Sequence, residues 1–225
     1  MSASQRVLVS WSSGKDSAWM LHVLQQSADI ELVGLVTTFN SAVDRVAMHA
    51  VRRELVDLQA AAIGLPLWPV PLPWPCSNEI YEVCMRQLIE QAVDSGVTHF
   101  AFGDLFLEEI RDYRIRQLAG TGIEPLFPIW CGEQGTAALA QEMLAAGLQA
   151  TLTCVDSQQL SPEFVGRAFD ESLLADLPAS VDPCGERGEF HTVCLAGPHQ
   201  QATIPVMLGE QIERNGFVSI DVIPE

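Results

Sequence analysis

Val7-Leu8-Val9-Ser10-Trp11-Ser12-Ser13-Gly14-Lys15-Asp16-Ser17-Ala18 is the stretch that decides the fold. Val7 to Val9 read as a short buried strand and Ser12 to Asp16 as a turn of small and polar residues. Ala18, Leu21, Leu24 and Ala28 then recur at helical spacing. Strand, glycine-bearing loop and helix make the first half of a βαβ unit. The loop falls at the carboxyl end of the strand, where open α/β sheets take their ligands.

The residue types of this loop suit an anion. Ser12, Ser13 and Gly14 offer N–H groups and hydroxyls, and the helix that follows aims its positive end at them. Lys15 adds a mobile cation and Ser17 a further hydroxyl. Asp16 would repel bare phosphate, so it implies either a bridging Mg2+ or a structural hydrogen bond inside the loop. A Walker A loop is excluded, because Val9 stands where its first glycine belongs and Asp16 follows the lysine.

Outward from the loop, Leu32 to Thr38 is an apolar, β-branched run of the kind found in fully buried parallel strands. Met48, Val51, Leu55, Leu58 and Ala62 form a helical stripe. Pro66, Pro69, Pro71, Pro73 and Pro75 interrupt the next apolar segment and restrict any strand there to a sheet edge. Ser77 opens a further helix as its cap, with Ile80, Val83, Cys84, Leu88 and Ala92 on one face. His99 to Phe102 reads as a strand, a charged helix follows Leu105, and Leu126 to Trp130 reads as the next strand. This alternation predicts an α/β fold with a Rossmann-like, doubly wound, mainly parallel sheet over residues 1–130. From 131 to 225 the rhythm changes, with helices at Glu133–Ala146 and Pro162–Leu174. Strands follow at Ala150–Val155, Phe190–Leu195, Thr203–Leu208 and Phe217–Val222, which predicts a smaller α+β lobe.

Composition narrows the function classes. A net charge of −17 argues against a nucleic-acid surface, which needs many cations to displace counterions. Lys15 is the single lysine among twelve basic residues, so the one lysine kept is the one in the loop. The six cysteines contain no CxxC pair and match no zinc or iron–sulfur spacing, which leaves them as reduced, mostly buried thiols. No apolar run reaches membrane-spanning length, and the N-terminus lacks a signal-peptide pattern; the expectation is a cytoplasmic protein with no membrane partner.

Ser-Gly-Lys-Asp-Ser on a strand–loop–helix resembles the PP-loop ATP pyrophosphatases, with Ser13 in place of the first glycine of their Ser-Gly-Gly-Lys-Asp-Ser motif. Three further stretches sharpen the likeness: Phe102-Gly103-Asp104-Leu105, Leu126-Phe127-Pro128-Ile129-Trp130, and Asp182-Pro183-Cys184-Gly185-Glu186-Arg187-Gly188-Glu189-Phe190-His191-Thr192. In this order, over nearly the whole chain, they are similar to the diphthine–ammonia ligase family and its bacterial relatives. The resemblance implies ATP held by the N-terminal domain and cleaved to AMP and pyrophosphate, and a C-terminal lobe that completes the site. It implies Mg2+, an ammonium or amine donor and a carboxylate acceptor, diphthine on elongation factor 2 in the true ligases. By the same resemblance Ser12 to Ser17 take the phosphates, and Thr37, Thr38 and His49 lie near the adenosine. Gly103 and Asp104 lie near nucleotide or acceptor, and Glu186 to Thr192 face the reacting centre.

The residues support that chemistry independently. Amidating a carboxylate requires activation, and Lys15 can stabilise departing pyrophosphate. Glu186, Glu189 and His191 supply candidate bases to deprotonate ammonium, and a strand through this segment would put Glu189 and His191 on one face. Glu189→Gln is then expected to abolish turnover and spare ATP affinity. Arg187 departs from the family string and adds a cation beside these acids, suited to an anionic substrate. Two other functions compete. A tRNA-modifying PP-loop enzyme calls for a basic surface, and often paired cysteines, which are missing. A nucleotide sensor without catalysis has no need of Glu186 and Glu189. Trp68 and Trp74 mark either a homodimer surface or a cover for the proline-rich edge.

Overall fold

The computed structural model describes residues 4–47 and 51–225. The first sheet holds β1 (Gln5–Ser10), β2 (Ile30–Asn40), β4 (Leu67–Leu72), β5 (His99–Ala101) and β6 (Glu124–Leu126), all parallel, with β3 (Arg45–Val46) antiparallel to the far end of β2. β1 sits between β2 and β5. From β1 the chain winds one way through β2 to β4, then crosses back and winds the other way through β5 to β6. The switch point therefore lies beyond the carboxyl ends of β1 and β5, where an open sheet leaves a crevice.

The winding is double. Val7 and Val9 point to the side covered by α1 (Lys15–Gln25) and α2 (Arg53–Ile63), in one core with Leu21, Leu24, Leu55 and Val56. Leu8, Val36, Val70 and Phe100 point the other way, against Met85, Leu88 and Ile89 of α3 (Asn78–Asp94) and Leu118 at the end of α4 (Glu108–Leu118). Ser77 caps α3 as expected, accepting from the Ile80 N–H. The prolines sit where an edge allows them. Leu35 donates to the Pro66 carbonyl and Ser41 to the Leu72 carbonyl, so the even-numbered residues of β4 bond to β2. Pro69 and Pro71 thus turn their donor-less nitrogens to the open edge.

The second sheet is antiparallel, in the order β8 (Phe190–Ala196), β7 (Gln149–Asp156), β10 (Phe217–Pro224), β9 (Val206–Arg214). It packs on the outer side of α1 and α2: β8 meets α1, β10 meets α2, and Leu152, Phe190 and Val218 join the core that contains Val7. Asp221 of β10 fastens the layers, accepting from Arg45 and, through both carboxylate oxygens, from Arg52. Those guanidinium groups hold its carboxyl at about 2. α5 (Thr136–Ala145) and α6 (Glu171–Asp176) complete this part.

Three elements differ from expectation. The strand foreseen at Leu126–Trp130 lies at Glu124–Leu126, because Pro128 has no donor and the chain turns there, Trp130 donating to Phe127. Pro162–Leu174 is a single 3-10 turn and then an extended stretch before α6. Gly166 takes a left-handed φ of 81°, and Leu152 exchanges bonds with Gly166 and Arg167. The strand foreseen at Thr203–Leu208 begins at Val206 and runs on to Arg214. Met48 and His49 lie outside the described residues. No described helix is long and apolar enough to cross a membrane.

Candidate active site

Trp11 to Gly14 carry the chain from β1 into α1, and this loop is held from three sides. Trp11 donates to the Val36 carbonyl (2.7 Å), and the Thr37 hydroxyl donates to the Trp11 carbonyl (2.7 Å). The Ser13 carbonyl accepts from the Cys194 N–H (2.8 Å) and from Gln59 (3.0 Å). Gln59, wholly buried in α2, also accepts from the Trp11 indole (2.9 Å) and donates to the Cys194 carbonyl (2.7 Å). Sequence reasoning overlooked Gln59. The signal was available: it stands four residues after Leu55 and four before Ile63, a polar residue on the buried stripe of α2.

Ser13 sits at φ 71°, a left-handed conformation that favours glycine, and its buried hydroxyl has no partner among the described residues. Gly14 is pressed against β8: a Cβ there would lie 3.0 Å from the Thr192 carbonyl, while Lys15 N–H donates to the Thr192 hydroxyl (3.1 Å). Ser12 and Ser17 hydroxyls meet at 3.2 Å and Ser17 bonds back to the Gly14 carbonyl (2.9 Å). The first-turn N–H groups of α1 thereby face the switch point, as a helix start that binds anions must.

Lys15 is 2% exposed. Its ammonium contacts both oxygens of Asp16 at 2.9 Å and donates to the Cys184 carbonyl. Burial opposes the charge on both partners: Asp16 and the negative groups beyond it still raise Lys15 above its ordinary value, whereas burial raises the Asp16 carboxyl against the pull of Lys15. Asp16 is thus bonded within the loop, and no group of three metal-ligating side chains occurs among the described residues.

The second motif folds around Asp182 and Glu189. One Asp182 oxygen accepts from the Cys184 and Glu186 N–H groups (3.1 and 3.0 Å). The Glu189 carboxylate accepts from the Asp182 and Arg187 N–H groups (2.8 and 2.9 Å) and is 1% exposed. Gly185 makes the turn at φ 72°; a Cβ there would lie 2.8 Å from the Phe190 carbonyl. Glu189 therefore braces the turn and does not line the cavity, so the expected common face with His191 is not formed.

Glu186 and His191 do line it, together with Ser12, Gly14, Lys15, Asp16, Ser17, Gly103 and Asp104, around a cavity of about 250 Å³. Glu186 accepts from the Leu105 N–H (2.8 Å), and burial, with Asp16 and Asp104 nearby, pushes its carboxyl up to about 7. Burial and Lys15 lower His191 to about 4, so it is neutral at neutral pH. Gly103 brings the end of β5 to the start of α1, its Cβ position 3.4 Å from Asp16 backbone. Thr37 is buried behind the loop and Thr38 is half-buried at the end of β2; neither borders this cavity.

Arg187 turns outward, pairing with Glu133 and lying over the Phe106 ring, so it does not enter the acid site. Burial pushes the Cys184 thiol far up, and it donates to the Thr136 carbonyl; all six cysteines are free. Arg114 of α4 borders the cavity too, whereas Arg111 of the same helix stacks over Trp130.

Two family models cover most of the chain: the diphthamide synthase N-terminal domain matches residues 5–119, and the diphthamide synthase C-terminal domain matches residues 135–223. No curated protein matches the chain. The first match contains the loop, Asp104 and Arg114; the second contains Glu186 and His191, so the cavity is built from both. The chain belongs to the diphthamide synthase family, whose domains mark it as an ATP-utilising enzyme of the PP-loop type.

Proposed function

We propose that this chain is an AMP-forming carbon–nitrogen ligase that activates a carboxylate with ATP and amidates it with ammonium or an amine. The observation that carries this reading is the convergence of the phosphate loop and Glu186 on one cavity. The acceptor oxygen attacks the α-phosphorus, the bond to the bridging oxygen breaks, and pyrophosphate leaves with the electron pair beside Lys15 and the start of α1. The amine nitrogen then attacks the acyl carbon and AMP departs with its oxygen. Glu186, titrating at about 7, takes the proton from the incoming ammonium. His191, neutral, lies on the same wall and orients the amine. Asp104, next to Gly103 at the cavity wall, positions groups there, and Thr37, Thr38 and His49 remain our candidates for the adenosine end.

Asp16 borders the cavity with both oxygens on Lys15, and by sharing that contact it would hold Mg2+ together with nucleotide phosphates and water, a common ligand set for this ion. Bound there it would neutralise phosphate charge. Diphthine is the acceptor that family membership favours, and the chain acts in the cytoplasm.

The test supplies the protein with ATP, Mg2+, 15N-ammonium and an extract of its source organism, with Lys15→Ala in parallel. AMP formation and 15N in an amide, both lost in Lys15→Ala, support the ligase. Tight ATP binding with no AMP under any condition would overturn it in favour of a sensor.

A further inference from the structure

Two cationic side chains border the cavity, and they differ in what they have left to give. All three ammonium donors of Lys15 are engaged, two by Asp16 and one by the Cys184 carbonyl. Arg114, on α4, makes no hydrogen bond among the described residues. Its Nε stands 3.8 Å from Asp104 Oδ2, too far to bond, and both atoms are buried without a partner. A buried donor left unsatisfied is uncommon and calls for a missing partner. The guanidinium is nonetheless held in place, with its carbon 4.9 Å from the Phe102 ring centre and 5.9 Å from that of Tyr113.

We infer that Arg114 is an oxyanion-binding residue that grips the phosphates of the nucleotide where α4 borders the cavity, with Asp104 as its positioning carboxylate. This rests on the ligase reading for its choice of ligand. Charge balance supports it: Asp16, Asp104 and Glu186 line the cavity against Lys15 and Arg114 alone. Without Arg114 a polyphosphate would face an excess of carboxylates in a protein of net charge −17. Arginine suits the task, since its planar fork of donors matches phosphate oxygens two at a time.

The test is calorimetric binding of Mg-ATP, AMP and pyrophosphate to the unaltered protein and to Arg114→Gln, Arg114→Lys and Arg116→Gln, each checked by circular dichroism. Arg116→Gln removes the same charge from the same helix outside the cavity. Arg114→Gln should weaken binding about 10- to 100-fold, the loss expected for a charge-assisted bond, with partial recovery in Arg114→Lys and little change in Arg116→Gln. Mg-ATP weakened with pyrophosphate unchanged places the grip on the α-phosphate; weakening of all three places it along the chain. Unchanged affinity in a folded Arg114→Gln overturns the inference and leaves the ligase reading intact. Arg114-dependent binding without AMP formation would do the reverse. Binding of none of the three to the unaltered protein overturns both.

Discussion

The phosphate loop, Ser12 to Ser17, and the turn from Asp182 to Thr192 are both short and glycine-bearing, yet they carry their charge in opposite ways. In the loop each charged group answers another: Lys15 contacts both oxygens of the adjacent Asp16, and the Lys15 N–H is taken by the Thr192 hydroxyl. In the turn the two glutamates divide the labour. Glu189 spends both oxygens on backbone donors and holds the shape, whereas Glu186 keeps one oxygen uncommitted inside the cavity. Two carboxylates three residues apart, in the same motif, thus differ because one faces inward to its own turn and the other borders the cavity.

That division can be broken most sharply at Glu186. Glu186→Gln should lower AMP-forming turnover by about 10²–10⁴, the span of general-base contributions, with ATP affinity nearly unchanged. In the unaltered protein the rate should rise with pH and bend near 7, where Glu186 loses its proton; the variant should lack that bend. The sign for stability is opposite. A carboxyl raised from 4.5 to about 7 binds its proton more tightly when folded, so stability falls as pH rises across that window. Glu186→Gln should therefore be no less stable than the parent at neutral pH. A strongly destabilised Glu186→Gln would mean that it too is a brace.

Glu189→Gln makes the complementary case. Its amide nitrogen would face a backbone N–H that then has no acceptor, costing about 1–3 kcal/mol for the unsatisfied buried group. Thermal melting should drop by several degrees, and activity should follow the folded fraction. Loss of turnover at full stability would restore Glu189 as a catalytic base. The smallest effect belongs to the loop: Ser13→Gly should stabilise by about 1 kcal/mol, because it relieves a left-handed serine and removes a buried hydroxyl without a partner. A destabilised Ser13→Gly would show that the hydroxyl has a bonded role.

Local pattern carried the fold a long way. The strand–loop–helix at Val7–Ala18, the proline-bound edge at Leu67–Leu72 and the cap at Ser77 each follow from nearest neighbours in the chain, and all three form as expected. Pro162–Leu174 misleads because its apolar spacing is helical while Gly166 and the bonds to Leu152 are not visible locally. Among site residues, the loop and Glu186 were legible as motifs. The distinct roles of Glu186 and Glu189 were not, since only the turn geometry decides which carboxylate finds backbone donors. Gln59 and Arg114 act across tertiary distances, from α2 to the loop and from α4 to the cavity, and no spacing rule reaches that far.

The most direct test of the central claim follows the bond that breaks in ATP. With α-labelled and γ-labelled ATP, Mg2+, ammonium and source extract, cleavage between the α- and β-phosphates is predicted. The α-label should appear in AMP and the γ-label in pyrophosphate, and neither product should form with Lys15→Ala. Label in ADP and inorganic phosphate, dependent on intact Lys15, would contradict the account.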